Sequence, residues 1–193
     1  MHFTLTDLVT DIVQNGIESG ASLVDLFVSE ILNSSGKGEF RFVVKDNGKG
    51  MNEEEQKLAQ DPFISDGLKH SRRKIGLGIP FLIQTAGTSG GGWKIESRKK
   101  EEDPEHSGTT VTAWFDLGNI DTPPVGDVPL MIRTAFLFNG PDEMVVRRLR
   151  DTPEGKIEYE VRKTELTDAL GNLEDVQSLI LLEQYLRSLE EKE

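Results

Sequence analysis

The sequence predicts an α+β fold, on three observations. Apolar residues recur at helical spacing close to the N-terminus. Short runs rich in Val, Phe and Thr are separated by Gly-rich turns, the pattern of β-hairpins. Two further helical stretches close the chain. Its 193 residues are enough for one domain with a core, or for a domain plus an appendage. A hydrophobic content of 36% with 29% charged residues reads as globular.

In order, 6–20 reads as a helix: Leu8, Ile12, Val13, Gly16 and Ile17 form its apolar or small face, Thr6 is the expected N-cap and Gly20 the stop. Leu23 to Ile31 and Glu39 to Lys45 read as two strands of a hairpin across the turn 34–38. Asn52 to Gln60 reads as a short polar helix, capped by Asn52 with Glu53, Glu54 and Glu55 in its first turn. Asp61 to Lys74 reads as a loop, and Gly76 to Ala86 as an apolar helix with Pro80 near its start. Trp93 to Arg98 and Thr109 to Leu117 are strands around a charged hairpin loop. Asp121 to Gly126 is a linker. It divides the expected domains, 1–118 and an extension of strands and two helices over 119–193. Met144 to Arg150 and Lys156 to Lys163 read as a second hairpin, followed by helices over 164–170 and 175–189. The last helix has an apolar stripe of Val176, Leu179, Ile180, Leu182, Leu186 and Leu189, expected to pack on the body of the protein.

Composition narrows the function. There is no Cys, so disulfides and thiolate metal sites are excluded. The N-terminus lacks a basic, then apolar leader, and no apolar run approaches the roughly 20 residues of a membrane helix. A cytoplasmic protein that does not enter membranes is expected. The net charge of −12 disfavours nucleic-acid binding. Against that acidity, Lys69, His70, Arg72, Arg73 and Lys74 form a basic cluster, a candidate site for a local polyanion.

Five short motifs carry the chemistry. Asp11 and Asn15, four apart, share a helix face expected to lie opposite the core; both side chains offer oxygens suited to Mg²⁺. Asp46, Gly48 and Gly50 follow an apolar strand, where glycines let a flat ligand approach and a fixed carboxylate can accept from an exocyclic amine. Asp61-Pro62-Phe63 ends the polar helix. Gly76 and Gly78 open a helix whose N-terminal N–H groups could face phosphate. Gly108-Thr109 opens a strand. Walker-type, dinucleotide-fold and calcium-loop patterns all fail.

In this order and spacing, the motifs over residues 6 to 117 resemble the GHKL superfamily, which joins DNA gyrase, heat-shock ninety chaperones, sensor histidine kinases and MutL-type mismatch-repair ATPases. The resemblance implies a Bergerat ATP-binding fold, a two-layer α/β sandwich with a mixed sheet under helices, here with a C-terminal β-hairpin and helical extension. It implies ATP and Mg²⁺ as cofactors. Asn15 would coordinate Mg²⁺, Asp46 would take adenine N6, and Gly48, Gly50 and Met51 would shape the adenine pocket. Phe63 and the basic residues Lys69, Arg72, Arg73 and Lys74 would belong to an ATP lid. Gly76, Leu77 and Gly78 would meet phosphates, and Thr109 would lie near adenine.

The chain also departs from that pattern. Asp11 stands where the hydrolytic branch usually has a water-activating Glu, so it is the candidate general base with a side chain one methylene shorter. The short lid and the Asp-Pro-Phe motif resemble the kinase branch, yet no phosphoacceptor-His hairpin precedes the first helix, so a self-contained histidine kinase is not expected. The region after Leu117 does not resemble the transducer domain of the MutL and gyrase branch. It resembles the tail of small stand-alone ATP-binding proteins of anaerobic bacteria, some encoded beside iron-only hydrogenase genes. Two readings stay open. One is a stand-alone ATPase or protein kinase-like domain working with a protein partner, a kinase substrate or a hydrogenase-associated protein. The other is a non-catalytic ATP-sensing module that engages a partner through a surface including the last helix.

Overall fold

The structure, a computed structural model, describes residues 4–61 and 78–191. Its described elements run α1 (Leu5–Glu18), β1 (Leu23–Leu32), β2 (Gly38–Asp46), α2 (Glu53–Gln60), α3 (Gly78–Thr88), β3 (Gly92–Arg98), β4 (Gly108–Asp116), α4 (Val128–Leu137), β5 (Glu143–Thr152), β6 (Gly155–Arg162), α5 (Lys163–Leu170) and α6 (Val176–Glu190). The strands form one mixed sheet in the order β3-β4-β2-β1-β5-β6. Every neighbouring pair is antiparallel except β1 with β5. The chain is thus α+β, as expected.

Strand periodicity makes the architecture two-layered. Val24, Leu26 and Val28 of β1, Phe40, Phe42 and Val44 of β2, and Val111, Ala113 and Phe115 of β4 alternate into one core. Onto that face pack Leu8 and Ile12 of α1, Leu82 and Ala86 of α3, Ile132 and Phe136 of α4, and Leu182 and Leu186 of α6. The opposite face carries half-buried Arg41 and Trp114 and exposed Lys45.

Two local expectations need correction. The N-cap of α1 is Thr4, not Thr6: the Thr4 hydroxyl accepts from Asp7 N–H at 3.2 Å, and the Asp7 carboxylate takes the Thr4 N–H at 3.0 Å, a capping box. Thr6 lies inside the first turn, where its N–H donates to the Val125 carbonyl at 2.9 Å, as Leu5 N–H does to Pro124. The Asp121–Gly126 segment therefore supplies acceptors to two N–H groups that no helical carbonyl could satisfy. The stripe on α6 is also narrower than its sequence suggests. Leu182 and Leu186 are buried, in a column begun by Ser178, but Val176 and Ile180 are exposed. The Ser178 hydroxyl donates to the Leu170 carbonyl at 2.7 Å, and this fixes which side of α6 faces inward.

Residues beyond 118 share the sheet and the core of the rest. β5 lies beside β1, pairing Val24 with Met144 and Val28 with Arg148. Arg148 is 2% exposed on the core side, and its charge is met by Glu30 of β1 at 2.6 Å and Glu190 of α6 at 3.1 Å. The Tyr159 hydroxyl donates to the same Glu190 at 2.8 Å. Burial, then the nearby Glu190 carboxylate, pushes that phenol above the usual tyrosine range.

Candidate nucleotide-binding site

The core side of the sheet ends in a polar row. After Phe42 and Val44, the next inward position of β2 is Asp46. Its register partners are Val24 on β1 and Thr109 on β4, and Thr109 in turn pairs with Ser97 on β3. The alternation that builds the core therefore carries a carboxylate to its edge and buries it, at 6% exposure. The side chain is closely held. Asp46 Oδ1 accepts from Gly48 N–H at 2.9 Å and from the Ser19 hydroxyl at 3.1 Å. Desolvation by burial raises the pKa of Asp46 above the usual carboxylate range, while the Gly48 N–H, the Ser19 hydroxyl and the Thr109 N–H pull it back.

Glycines permit this closeness. A Cβ on Gly48 would lie 1.7 Å from Ser19 Oγ, and one on Gly16 would lie 3.3 Å from Asp46 Cβ. Gly50 has φ +63°, and a Cβ there would strike the Arg98 carbonyl oxygen at 1.8 Å. The turn after β2 is thereby folded against both α1 and β3. Met51 is tied down as well, its N–H donating to Ser97 Oγ at 2.8 Å. Ser97 Oγ also lies 2.8 Å from Thr109 Oγ1 and 3.0 Å from the Gly108 carbonyl.

The second half of the site lies along α1. Gln14 and Glu18 form the exposed pair, with Gln14 Nε2 donating to Glu18 at 2.9 Å. Asp11 and Asn15 are half-buried and do not lie opposite the core as expected. They flank it and face α3, because a helix clamped between sheet, α3 and α4 has only a narrow solvent side. Gly78, the first residue of α3, meets that flank. A Cβ there would lie 3.2 Å from Asp11 Cβ, 3.3 Å from Asn15 Nδ2 and 3.5 Å from Asp11 Oδ2. The bare α-carbon lets the N-terminal turn of an apolar helix approach a carboxylate and a carboxamide.

The structure thus brings together Asp11, Asn15 and Gly78 at one place, and Asp46, Gly48 and Thr109 at another, with α1 joining the two. Phe63, Lys69, Arg72, Arg73, Lys74, Gly76 and Leu77 lie outside the described residues, as does the expected lid. Sequence reasoning missed Ser19 and Ser97. Ser19 falls four residues after Asn15 and so continues its column. Ser97 had no comparable signal, since only strand register brings it beside Thr109.

The fold is α+β, with a polar site at the edge of its core. The sequence model of the family described as Histidine kinase-, DNA gyrase B-, and HSP90-like ATPase matches residues 3–119, and the chain belongs to this family. Among solved structures, it is similar to one described as the N-terminal domain of a DNA repair protein. That similarity has 14% identity and a TM-score of 0.42, over 81% of this chain and 52% of the other. It is also similar to the Aquifex aeolicus MutL ATPase domain complexed with ADP, at 16% identity and a TM-score of 0.44, over 94% of this chain and 70% of that one. The chain spans about half the length of the first of these. No curated protein matches it.

Proposed function

We propose that the chain binds Mg-ATP, holding adenine at Asp46 and the phosphates between α1 and the start of α3, and that it acts with a protein partner. The observation that carries this reading is the Asp46 carboxylate. It is buried and ionisable, with one oxygen already occupied by Gly48 and Ser19, and its Oδ2 faces the bare α-carbon of Gly16. A carboxylate left buried against its desolvation cost is better explained by a ligand donor than by folding. Adenine N6 supplies such a donor. Calorimetric titration with Mg-ATP and Mg-ADP tests the reading: saturable binding supports it, and heats of dilution alone refute it.

The donors present suit Mg²⁺. Asn15 offers a neutral oxygen in the half-buried flank, beside the Asp11 carboxylate, with room kept by Gly78. No cluster of three or more carboxylate or imidazole ligands occurs among the described residues. Mg²⁺ keeps several waters and would take its remaining oxygens from phosphates. When bound, Mg²⁺ would offset phosphate charge. Asp11 is the candidate general base, and phosphoryl transfer would rest mainly on positioning and cationic groups. Asp11→Asn against wild type in a γ-phosphate release assay separates turnover from binding alone. Background release from both refutes an ATPase.

The second reading, a non-catalytic sensor, draws on the α6 surface. Leu181 and Tyr185 are exposed beside Leu166 and Leu170 of α5, lining a cavity of about 660 Å³. Apolar exposure of this kind marks a contact surface. We assign ATP binding to 1–118, supported by a family match that ends at 119, and partner contact to 119–193. The reading puts the chain in the cytoplasm, where Mg-ATP is plentiful. Among the described residues no helix is long and apolar enough to cross a membrane.

A further inference from the structure

We propose that Ser19 is the positioning residue of the adenine subsite: by occupying one oxygen of Asp46 it leaves the other to take the exocyclic amine. This rests on the ATP-binding reading and goes beyond it, because it assigns a role at the C-cap of α1, outside the motifs that define the site.

The geometry points to an interlock of three positions. A carboxylate torsion is broad and roughly two-fold, so burial alone does not choose which oxygen faces a ligand. Gly48 N–H holds Oδ1 from the strand side at 2.9 Å, and the Ser19 hydroxyl holds it from the helix side at 3.1 Å. These donors come from different elements and, with the Thr109 N–H of β4, fix the carboxylate plane. Oδ2 then faces Gly16, where a Cβ would lie 3.5 Å away. Gly48 is glycine for the same reason, since any Cβ would occupy the place of Ser19 Oγ.

Ser19 has one proton and two acceptors. Its hydroxyl is 2.7 Å from the Gly16 carbonyl and 3.1 Å from Asp46 Oδ1. A charged carboxylate is the stronger acceptor and draws the proton. When Asp46 is neutral, the proton turns to Gly16 and the Ser19 oxygen can accept from the acid. The hydroxyl therefore satisfies both states of a buried acid, and alanine satisfies neither. The groups meeting the carboxylate are neutral on each described side: Gly16 and Ser19 of α1, Val24 of β1, Gly48 after β2, and Thr109 of β4. No described charge substitutes for the hydroxyl.

The test compares wild type, Ser19→Ala and Asp46→Asn by Mg-ATP calorimetry across the acid-to-neutral range, because burial raises the Asp46 pKa. The Asp46 carboxyl is also titrated by ¹³C NMR in the nucleotide-free wild type and Ser19→Ala proteins. Ser19→Ala should fold, because the C-cap of α1 is closed by the Ser19 backbone N–H. Loss of a hydrogen bond to a charged group should weaken ATP binding about tenfold or more. The acid-side loss of affinity and the Asp46 titration should both move to higher pH. Wild-type affinity in Ser19→Ala overturns the assignment. So does a uniform loss at every pH with an unmoved Asp46 titration, the mark of a merely structural role. If wild type itself fails to bind Mg-ATP, the ATP-binding reading falls first and takes this one with it.

Discussion

Asp46→Asn is the perturbation that tests the site most directly, because the structure dictates how the amide must orient. Gly48 N–H and the Ser19 hydroxyl both donate to Oδ1. The Asn oxygen must take that position, since the alternative sets its NH₂ against the Gly48 N–H. The NH₂ then occupies the place of Oδ2 and opposes the adenine amine, donor against donor. The change removes a charge-assisted hydrogen bond and leaves a donor unmatched in a site that is 6% exposed. Together these cost about 2–4 kcal/mol of binding, roughly 30- to 700-fold in Kd. Calorimetry with Mg-ATP measures it, and unchanged affinity refutes the adenine assignment. Folding should respond in the opposite sense. The pKa of Asp46 is higher in the folded state than in the unfolded one, so the folded state binds this proton more tightly. Nucleotide-free wild type is relieved of the ionisation cost below the unfolded value of about 3.9. It takes on that cost as pH rises through the raised folded-state value. Asp46→Asn carries no such cost, so near neutral pH its thermal midpoint should match or exceed that of wild type. A large drop would show that its binding defect comes from misfolding.

Gly50→Ala should be more damaging than a turn glycine ordinarily is. The left-handed φ and the 1.8 Å approach to the Arg98 carbonyl add up, for a cost of about 2 kcal/mol or more in a urea melt. Arg148→Met should cost about 3–5 kcal/mol, because it leaves Glu30 and Glu190 uncompensated; the further changes Glu30→Gln and Glu190→Gln should recover part of that loss. Tyr185→Asp should leave Mg-ATP affinity unchanged within twofold, since Tyr185 lines the α5–α6 cavity and none of the contacts to Asp46, Asn15 or Gly78. Calorimetry checks this, and a coupled loss would tie the cavity to the nucleotide site.

Much of the fold was legible because local physics decided it. Gly20 at φ +80° stops α1, Asn52 caps α2 through Glu55, and alternating Val111, Ala113 and Phe115 point inward, as their spacing requires. The errors fell where a side chain chose between neighbours. Thr6 is the expected cap, but Thr4 closes a capping box with Asp7, and the carbonyls of Pro124 and Val125 take the N–H groups of Leu5 and Thr6. The α6 stripe holds more apolar residues than one face can bury, and the Ser178 to Leu170 bond selects the column.

The same division applies to the site. Residue spacing alone showed an acid and two glycines ending an apolar strand, and Asp11 and Asn15 sharing a helix face. Spacing along one chain segment is enough for that, because helix and strand periods place side chains without reference to anything distant. Long-range packing is what brings Ser19 to Asp46 across 27 residues, sets Gly78 against Asp11 and Asn15, and braces Met51 and Thr109 with Ser97. Those contacts follow from strand register and from how closely α1 and α3 approach, and both are set by packing of the whole core.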